Sequence, residues 1–323
     1  MRRGCLFSGL AAIVLVLGSL SWLLGGWFLP GPLDADTPFV VPDGAGLSEV
    51  TAKLNAAHAI RSASGFRMRA RIFGAGSAIK AGEFMLPKGA SPSTILAILS
   101  GDDVIRRFVT VPEGMPSVMV QERLSAQQVL TGNIDAPPEG SILPNTYDVE
   151  RGESRQSVLL RMQAAMQRTL AELWAKRSAD TVAKTPAEAL VLASIVEKET
   201  GKPAERAMVA GLYSNRLRQG IMLQADPTII YPITRGKPLG RRIRQSEIQA
   251  INDYNTYAMV GLPRGPITNP GRASIEAVLH PAKTDVLYMV ADGTGGHAFA
   301  ATLEQHNANV QKWFAIRKAR GDF

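Results

Sequence analysis

The chain has 323 residues, a formal net charge of +8 and a single cysteine, Cys5. That length suits two domains, and a lone thiol excludes a disulfide framework and Cys-based zinc sites. Four histidines (His58, His280, His297 and His306) show no metal-ligand spacing, so neither a metal nor a cofactor is expected.

Residues 1–5 read as a short cytoplasmic tail carrying Arg2 and Arg3. Leu6 to Leu29 carry no charge. As a helix they would span about 36 Å, enough to cross a bilayer. Positive charge stays on the cytoplasmic side. The expectation is therefore a single-pass anchor over 6–29 in the inner membrane, N-terminus inside and the bulk of the chain periplasmic. Trp22 and Trp27 suit an interfacial belt. A cleaved signal peptide is the rival, but its apolar region normally runs about 7–15 residues to a small-residue cleavage site. This run is longer and ends Gly25-Gly26-Trp27-Phe28-Leu29-Pro30. In that compartment the positive charge favours anionic lipid or wall polymer as partner, and not nucleic acid.

Residues 30–38 read as a linker, and 39–103 as a small α+β unit. Phe39–Val41 is a short strand, and a helix from Leu47 to His58 places Val50 and Leu54 on one face. Residues 67–73 alternate as a strand, Lys80–Leu86 forms another, and a helix covers Ser91–Leu99. Residues 104–323 form a larger mixed α+β domain. Strand character at Val104–Pro112 precedes a helix at Ser117–Leu124. Residues 137–147 are loop-like, and a long amphipathic helix covers Ser154–Arg177. A helix follows from Thr185 to Gly201, and another covers Glu205–Arg218. The chain is then dense in Pro, Gly, Asn and Tyr as far as Gly271. A helix at Ala273–Leu279, a strand at Val286–Ala291 and a helix from Leu303 complete the domain.

The helix from Thr185 carries the first candidate for chemistry. Thr185 caps it, Pro186 suits its first turn and Glu188 completes a capping box. Residues three and four apart share a face, so Glu197 lies on a stripe with Ser194, Ala193 and Leu190. Glu199 points about 200° away. A part-buried carboxyl near a helix C-terminus is hard to ionise, and such an acid can protonate a leaving oxygen. The plainer alternative for Glu197 is an ion pair with a nearby Arg at the edge of the core.

Three later segments gather amides, hydroxyls and rings. They are Leu223-Gln224-Ala225-Asp226-Pro227-Thr228, Asp253-Tyr254-Asn255-Thr256-Tyr257, and Gly261 to Gly271. Each alone reads as a well-ordered turn. Together, following a buried acid, they suit a carbohydrate cleft.

At this point the chain resembles the YceG-like family of endolytic murein transglycosylases. The matching pieces are Ala193–Thr200, Asn215-Arg216-Leu217, Leu223-Gln224 with Asp226-Pro227-Thr228, and Tyr254-Asn255-Thr256-Tyr257. Further matches are Gly261-Leu262-Pro263 with Gly265-Pro266-Ile267, Gly296-His297 with Phe299, and His306-Asn307. The resemblance implies an α+β fold with three parts: an N-terminal transmembrane helix, a LysM-like subdomain over 39–103 and a catalytic domain over 104–323. It implies a lytic transglycosylase that cuts the β-1,4 bond between MurNAc and GlcNAc within nascent peptidoglycan strands. Its products would carry 1,6-anhydroMurNAc ends, and it would end glycan elongation beside penicillin-binding proteins or other wall synthases. The family's catalytic acid is expected at Glu197. Gln224, Asp226, Thr228, Tyr254, Asn255, Thr256 and Tyr257 are expected to contact substrate or support the site. Asp226, Asp253 and Glu199 are the available second carboxylates. Two positions depart from the family pattern, Asn145 where an Asp is common and Arg264 where a Pro is common. The competing functions are a wall-binding scaffold that does not cut and a two-carboxylate muramidase.

Overall fold

The structure is a computed structural model that describes residues 2–74 and 78–321, with side chains described from residue 13 onward. The chain divides into two compact units, residues 1–107 and 108–323.

The first unit opens with helix α1 (Arg2–Phe28). Strand β1 (Thr37–Val41) and helices α2 (Leu47–Ala56) and α3 (Ala63–Phe73) follow, then strand β2 (Gly82–Leu86) and helix α4 (Pro92–Ser100). β1 and β2 pair antiparallel with Phe39 opposite Phe84. Val50 and Leu54 of α2, Phe66 of α3 and Ile95 and Leu99 of α4 close over the sheet as one apolar core.

Two expectations fail in this unit. Residues 67–73 are helical, not a strand. Arg67, Arg69 and Arg71 alternate with apolar residues, which mimics a strand period. The buried set is Phe66, Arg69 and Ala70, and spacing of three and four residues is a helix face. Ser62 starts α3 by accepting a hydrogen bond from the Gly65 N–H at 3.1 Å.

The second failure is the anchor. Among the described residues, no helix is long and apolar enough to cross a membrane. This overturns the single-pass helix over 6–29 and the inner-membrane placement built on it. The physical reason lies at the helix's C-terminal end. Trp27 is 3% exposed and belongs to the core of the first unit, not to an interfacial belt. Its ring lies 5.5 Å from Phe66 and 5.9 Å from Phe73. The Arg69 guanidinium donates to the carbonyls of Leu23 and Trp22, both at 3.1 Å, and sits over the Trp22 ring. The last turns of the apolar run are thus spent on packing within this unit. Arg2 and Arg3, on which the orientation rested, have side chains outside the described residues, as does Cys5.

The second unit begins within strand β3 (Arg107–Val111). Helix α5 (Ser117–Ser125), strand β4 (Asn145–Val149) and helices α6 (Arg155–Ala175), α7 (Pro186–Glu199) and α8 (Arg206–Arg218) follow. Next come α9 (Asp226–Thr234), the short α10 (Gln245–Ile248), α11 (Arg272–Leu279), the strands β5 (Tyr288–Ala291) and β6 (His297–Ala300), and α12 (Leu303–Arg320). β3 pairs with β4, and β5 with β6. α6 serves two apolar clusters. Val158, Leu159 and Met162 join Val109, Val120 and Ile142, while Met166 and Leu173 join α7, α8 and α11. Their spacing of three to four residues is that of one helix face.

α7 is the centre of the larger cluster. Ala189 and every residue from Val191 to Val196 are buried, so this helix is apolar nearly all round. The Thr185 hydroxyl caps it by accepting from the Glu188 N–H at 3.1 Å. Glu188 accepts from the Lys184 N–H and not from Thr185, so it grips the chain one residue before the expected capping box. α9 lies in a stretch read as loop. Its Pro227 stands in the first turn and Pro232 near the end, where proline costs the helix least at the start and forgoes one bond later.

Candidate active site

Thr200 adopts an extended backbone and ends α7. Glu197 and Glu199 therefore occupy the helix's last turn, and their side chains diverge. The Glu197 side chain is 5% exposed. Its Oε2 accepts from the Gly271 N–H at 2.9 Å. Gly271 is the N-cap of α11, so Glu197 holds the start of that helix, where negative charge is favoured. Its Oε1 lies 3.7 Å from Arg206, which also bonds Glu113 at 2.9 Å.

Glu199 faces a cavity of about 330 Å³ lined by Tyr213, Arg216, Gln224, Asp226, Tyr257, Tyr288, His297 and His306. Glu197 is not on its lining. Burial pushes the Glu199 carboxyl up to about 8, the negative charge of Asp226 adds to the rise, and a hydrogen bond with Tyr213 opposes it. Its Oε1 is buried with no hydrogen-bond partner among the described residues. At neutral pH this group holds its proton.

The opposite wall is built by α9 and the 250–257 loop. Asp226 begins α9 and accepts from the Tyr257 hydroxyl at 2.6 Å. Burial and this partner raise the Tyr257 hydroxyl, which remains a donor. Gln224 stands at φ 54, a left-handed conformation uncommon for a residue with a side chain. The strain aims its N–H at the Thr256 carbonyl, 3.1 Å away, and its Oε1 at Arg216, also 3.1 Å away.

Arg216 is 7% exposed. Its guanidinium donates to Leu287 O at 2.7 Å, Met222 O at 2.9 Å and Leu223 O at 3.1 Å. Asn215 bonds the carbonyls of Thr284 and Val286. This pair fastens the chain leading into β5 onto α8 and so places Tyr288 on the cavity. His306 stacks on Tyr288 at 5.2 Å. Desolvation and the Arg216 charge lower its pKa, so it is neutral at neutral pH. His297 reaches Glu205 at 2.8 Å and ties β6 to the turn before α8.

Of the residues expected at the site, the fold brings Gln224, Asp226 and Tyr257 onto the cavity. Thr228, Asn255 and Thr256 are fully buried and bonded within the protein. The Thr228 and Thr256 hydroxyls meet at 2.9 Å, and Thr256 accepts from the Ala225 N–H at 3.0 Å. Asn255 donates to the carbonyls of Ile248 and Ala250. These three shape the wall from behind. Tyr254 packs on Tyr231 at 4.8 Å, off the cavity. Asn145 and Arg264 also lie off it. Asn145 bonds the Thr146 N–H, and Arg264 is 3.3 Å from Asp253.

Sequence reasoning gave Glu199 only as an available second carboxylate and Arg216 only within a matching motif, and it missed Tyr213. A signal for Glu199 was present. It lies three, four and seven residues after Val196, Ile195 and Leu192, all fully buried, which is a helix stripe as good as the one through Glu197. Because α7 is buried on both stripes, spacing alone does not rank them. Among the described residues no group of His, Cys, Asp or Glu is arranged to hold a metal.

Comparison with known proteins places the chain. It is 28% identical to the endolytic murein transglycosylase of Bacillus subtilis (strain 168), over 92% of this chain and 93% of that protein. It is 36% identical to the endolytic murein transglycosylase of Streptococcus pneumoniae serotype 2 (strain D39 / NCTC 7466), over 53% of this chain and 31% of that longer protein. A crystal structure of a yceG-like protein from Listeria monocytogenes superposes with a TM-score of 0.55 at 25% identity, over 84% of this chain and 98% of that one. The YceG-like family model matches residues 39–312, and this chain belongs to that family.

Proposed function

We propose that this chain is a lytic transglycosylase that cuts glycan strands within peptidoglycan, with Glu199 as its acid and base. The observation that carries the residue assignment is the Glu199 carboxyl, held protonated to about pH 8 on the wall of the polar cavity. The reaction class is supported by relatives named endolytic murein transglycosylase.

In the first step Glu199 gives its proton to O4, the oxygen linking MurNAc C1 to GlcNAc C4, and the C1–O4 bond breaks. In the second, the C6 hydroxyl of the same MurNAc attacks C1 and the Glu199 carboxylate takes its proton. The acid is regenerated, no water is consumed, and the products are a free 4-hydroxyl and a 1,6-anhydro end. A single carboxyl suffices because the substrate supplies the attacking oxygen. The charge of Asp226 favours the proton staying on Glu199, and the Tyr257 hydroxyl holds Asp226 in place. Cutting inside strands beside a wall synthase would end their elongation. The order β1-α2-α3-β2 in the first unit supports reading it as a LysM-like wall-binding module.

One observation favours a second reading. Asp226 stands close enough to Glu199 to raise its pKa, and paired carboxylates are the equipment of a hydrolase. Mass spectrometry of digested sacculi decides. The proposal requires 1,6-anhydroMurNAc ends. Reducing ends would assign Asp226 to water activation, and intact strands would leave a binding scaffold.

A further inference from the structure

We propose that the basic segment from Arg235 to Arg244 binds the carboxylates of peptide stems on the glycan strand; this rests on the reading of the chain as a peptidoglycan-cutting enzyme. The segment reads Arg235-Gly236-Lys237-Pro238-Leu239-Gly240-Arg241-Arg242-Ile243-Arg244, with five cations and no acid. It joins α9 to α10 and is held at its base. Gly236 has φ +82, and a Cβ there would stand 2.8 Å from Pro116 and 3.2 Å from the Ile267 carbonyl, so only glycine allows this approach. The Thr234 hydroxyl donates to the Lys237 carbonyl at 2.7 Å.

Two acids from outside the segment neutralise part of it. Glu122 pairs with Lys237 and Glu247 with Arg241. Arg235, Arg242 and Arg244 remain exposed. Arg235 and Arg242 form no ion pair among the described residues, and Arg244 adds its charge beside the Arg241–Glu247 pair. Like charges held together on a fixed segment repel one another and raise the local concentration of anions. Guanidinium groups match carboxylates in fork geometry.

The position relates the segment to the substrate. α9 runs from Asp226 on the cavity to Thr234, the residue before Arg235. Nine residues of helix cover about 13 Å. A polymer lying in the cavity must continue over the neighbouring surface, and its stems carry the carboxylates. A membrane surface fits less well. Anionic lipid attracts such cations too, but firm docking adds apolar side chains that insert, and the segment's own Leu239 and Ile243 are half-buried.

The test is co-sedimentation of the full-length chain carrying Glu199→Gln, which measures binding independently of cutting. The ligands are sacculi with intact stems, sacculi stripped of stems by an amidase, and phosphatidylglycerol vesicles. The comparison is with the same chain carrying Arg235→Gln, Arg242→Gln and Arg244→Gln, matched in melting temperature. The expected result is at least about fivefold weaker binding to intact sacculi, a loss abolished by high salt, and unchanged binding to stripped glycan. Equal loss on both glycans, or no loss on intact sacculi, overturns the proposal. So does a loss confined to the vesicles, which would assign the segment to lipid. A chain that binds stems but yields no anhydro ends would refute the proposed function while leaving this inference standing.

Discussion

Glu197 and Glu199 are two residues apart on α7 and serve opposite surroundings. The first is engaged by the Gly271 N–H and Arg206. The second stands on the cavity with one oxygen unpartnered among the described residues. Their separation of about 200° around the helix axis sends them to different sides.

Replacing each in turn tests this division. Glu199→Gln should lower turnover on sacculi by about 10²–10⁴-fold, the usual worth of a general acid. Glu197→Gln should keep activity within about tenfold, because the amide oxygen still accepts from Gly271. Its stability should fall by about 1–3 kcal/mol through the lost charge facing Arg206. Product release, measured with a circular-dichroism melt on each protein, gives the answer. Loss of cutting in a folded Glu197 variant, with cutting retained in the Glu199 variant, would return the acid to Glu197.

Activity should depend on pH with an alkaline limit. Cutting needs protonated Glu199, so kcat/KM should fall as pH rises through about 8. Stability has the same sign. The Glu199 carboxyl titrates near 4.5 when unfolded and near 8 when folded, so the folded state holds a proton across that window and the unfolded state does not. Stability is therefore full below pH 4.5 and declines until about pH 8. Glu139, raised by burial to about 7, adds a decline between its own limits. Urea titrations at pH 5 and pH 8 should show that Glu199→Gln removes part of this slope, on the order of a few kcal/mol. An unchanged slope would mean that Glu199 titrates normally.

Asp226 should govern that alkaline limit. Its charge is the second cause of the raised Glu199 carboxyl. In Asp226→Asn the limit should move to lower pH. Tyr257→Phe removes the 2.6 Å bond to Asp226 and frees its carboxylate to move. The expected cost is about 1.5–3 kcal/mol of the interaction, read as reduced kcat/KM. An alkaline limit unmoved in Asp226→Asn would show that burial alone sets it.

Asn269 should matter to stability without touching the cavity. It is fully buried. Its side chain donates to Met115 O at 2.9 Å and Ser117 Oγ at 3.1 Å, and accepts from the Ile142 N–H at 3.0 Å. Asn269→Ala strands these buried groups and should cost about 2–4 kcal/mol in urea unfolding. A loss below about 0.5 kcal/mol, the level of an ordinary surface change, would show the junction to be dispensable.

Local order was readable along much of the chain. Thr185, Pro186 and the turn after Glu199 mark α7, and the apolar spacing of Val158, Met162 and Met166 marks α6. These signals act over three or four residues, so adjacent side chains carry them. α9 was hidden by Pro227 and Pro232. The stripe of arginines at 67–71 imitated a strand. The long apolar run at the start read as a membrane anchor because hydropathy does not record that Trp27 packs on Phe66 and Phe73.

The chain's sequence by itself determined its family, its capped helices and the presence of Gln224, Asp226 and Tyr257 as candidates for a sugar site. Only the tertiary structure decided which glutamate of α7 meets them. Both carboxyls lie on stripes of a helix buried nearly all round, so periodicity treats them alike. What separates them is the surrounding protein: α11 offers Glu197 a free N–H, while α8 and α9 offer Glu199 a desolvated wall and a neighbouring negative charge. A carboxyl's proton affinity is set by those distant partners, and they are assembled only when the chain folds.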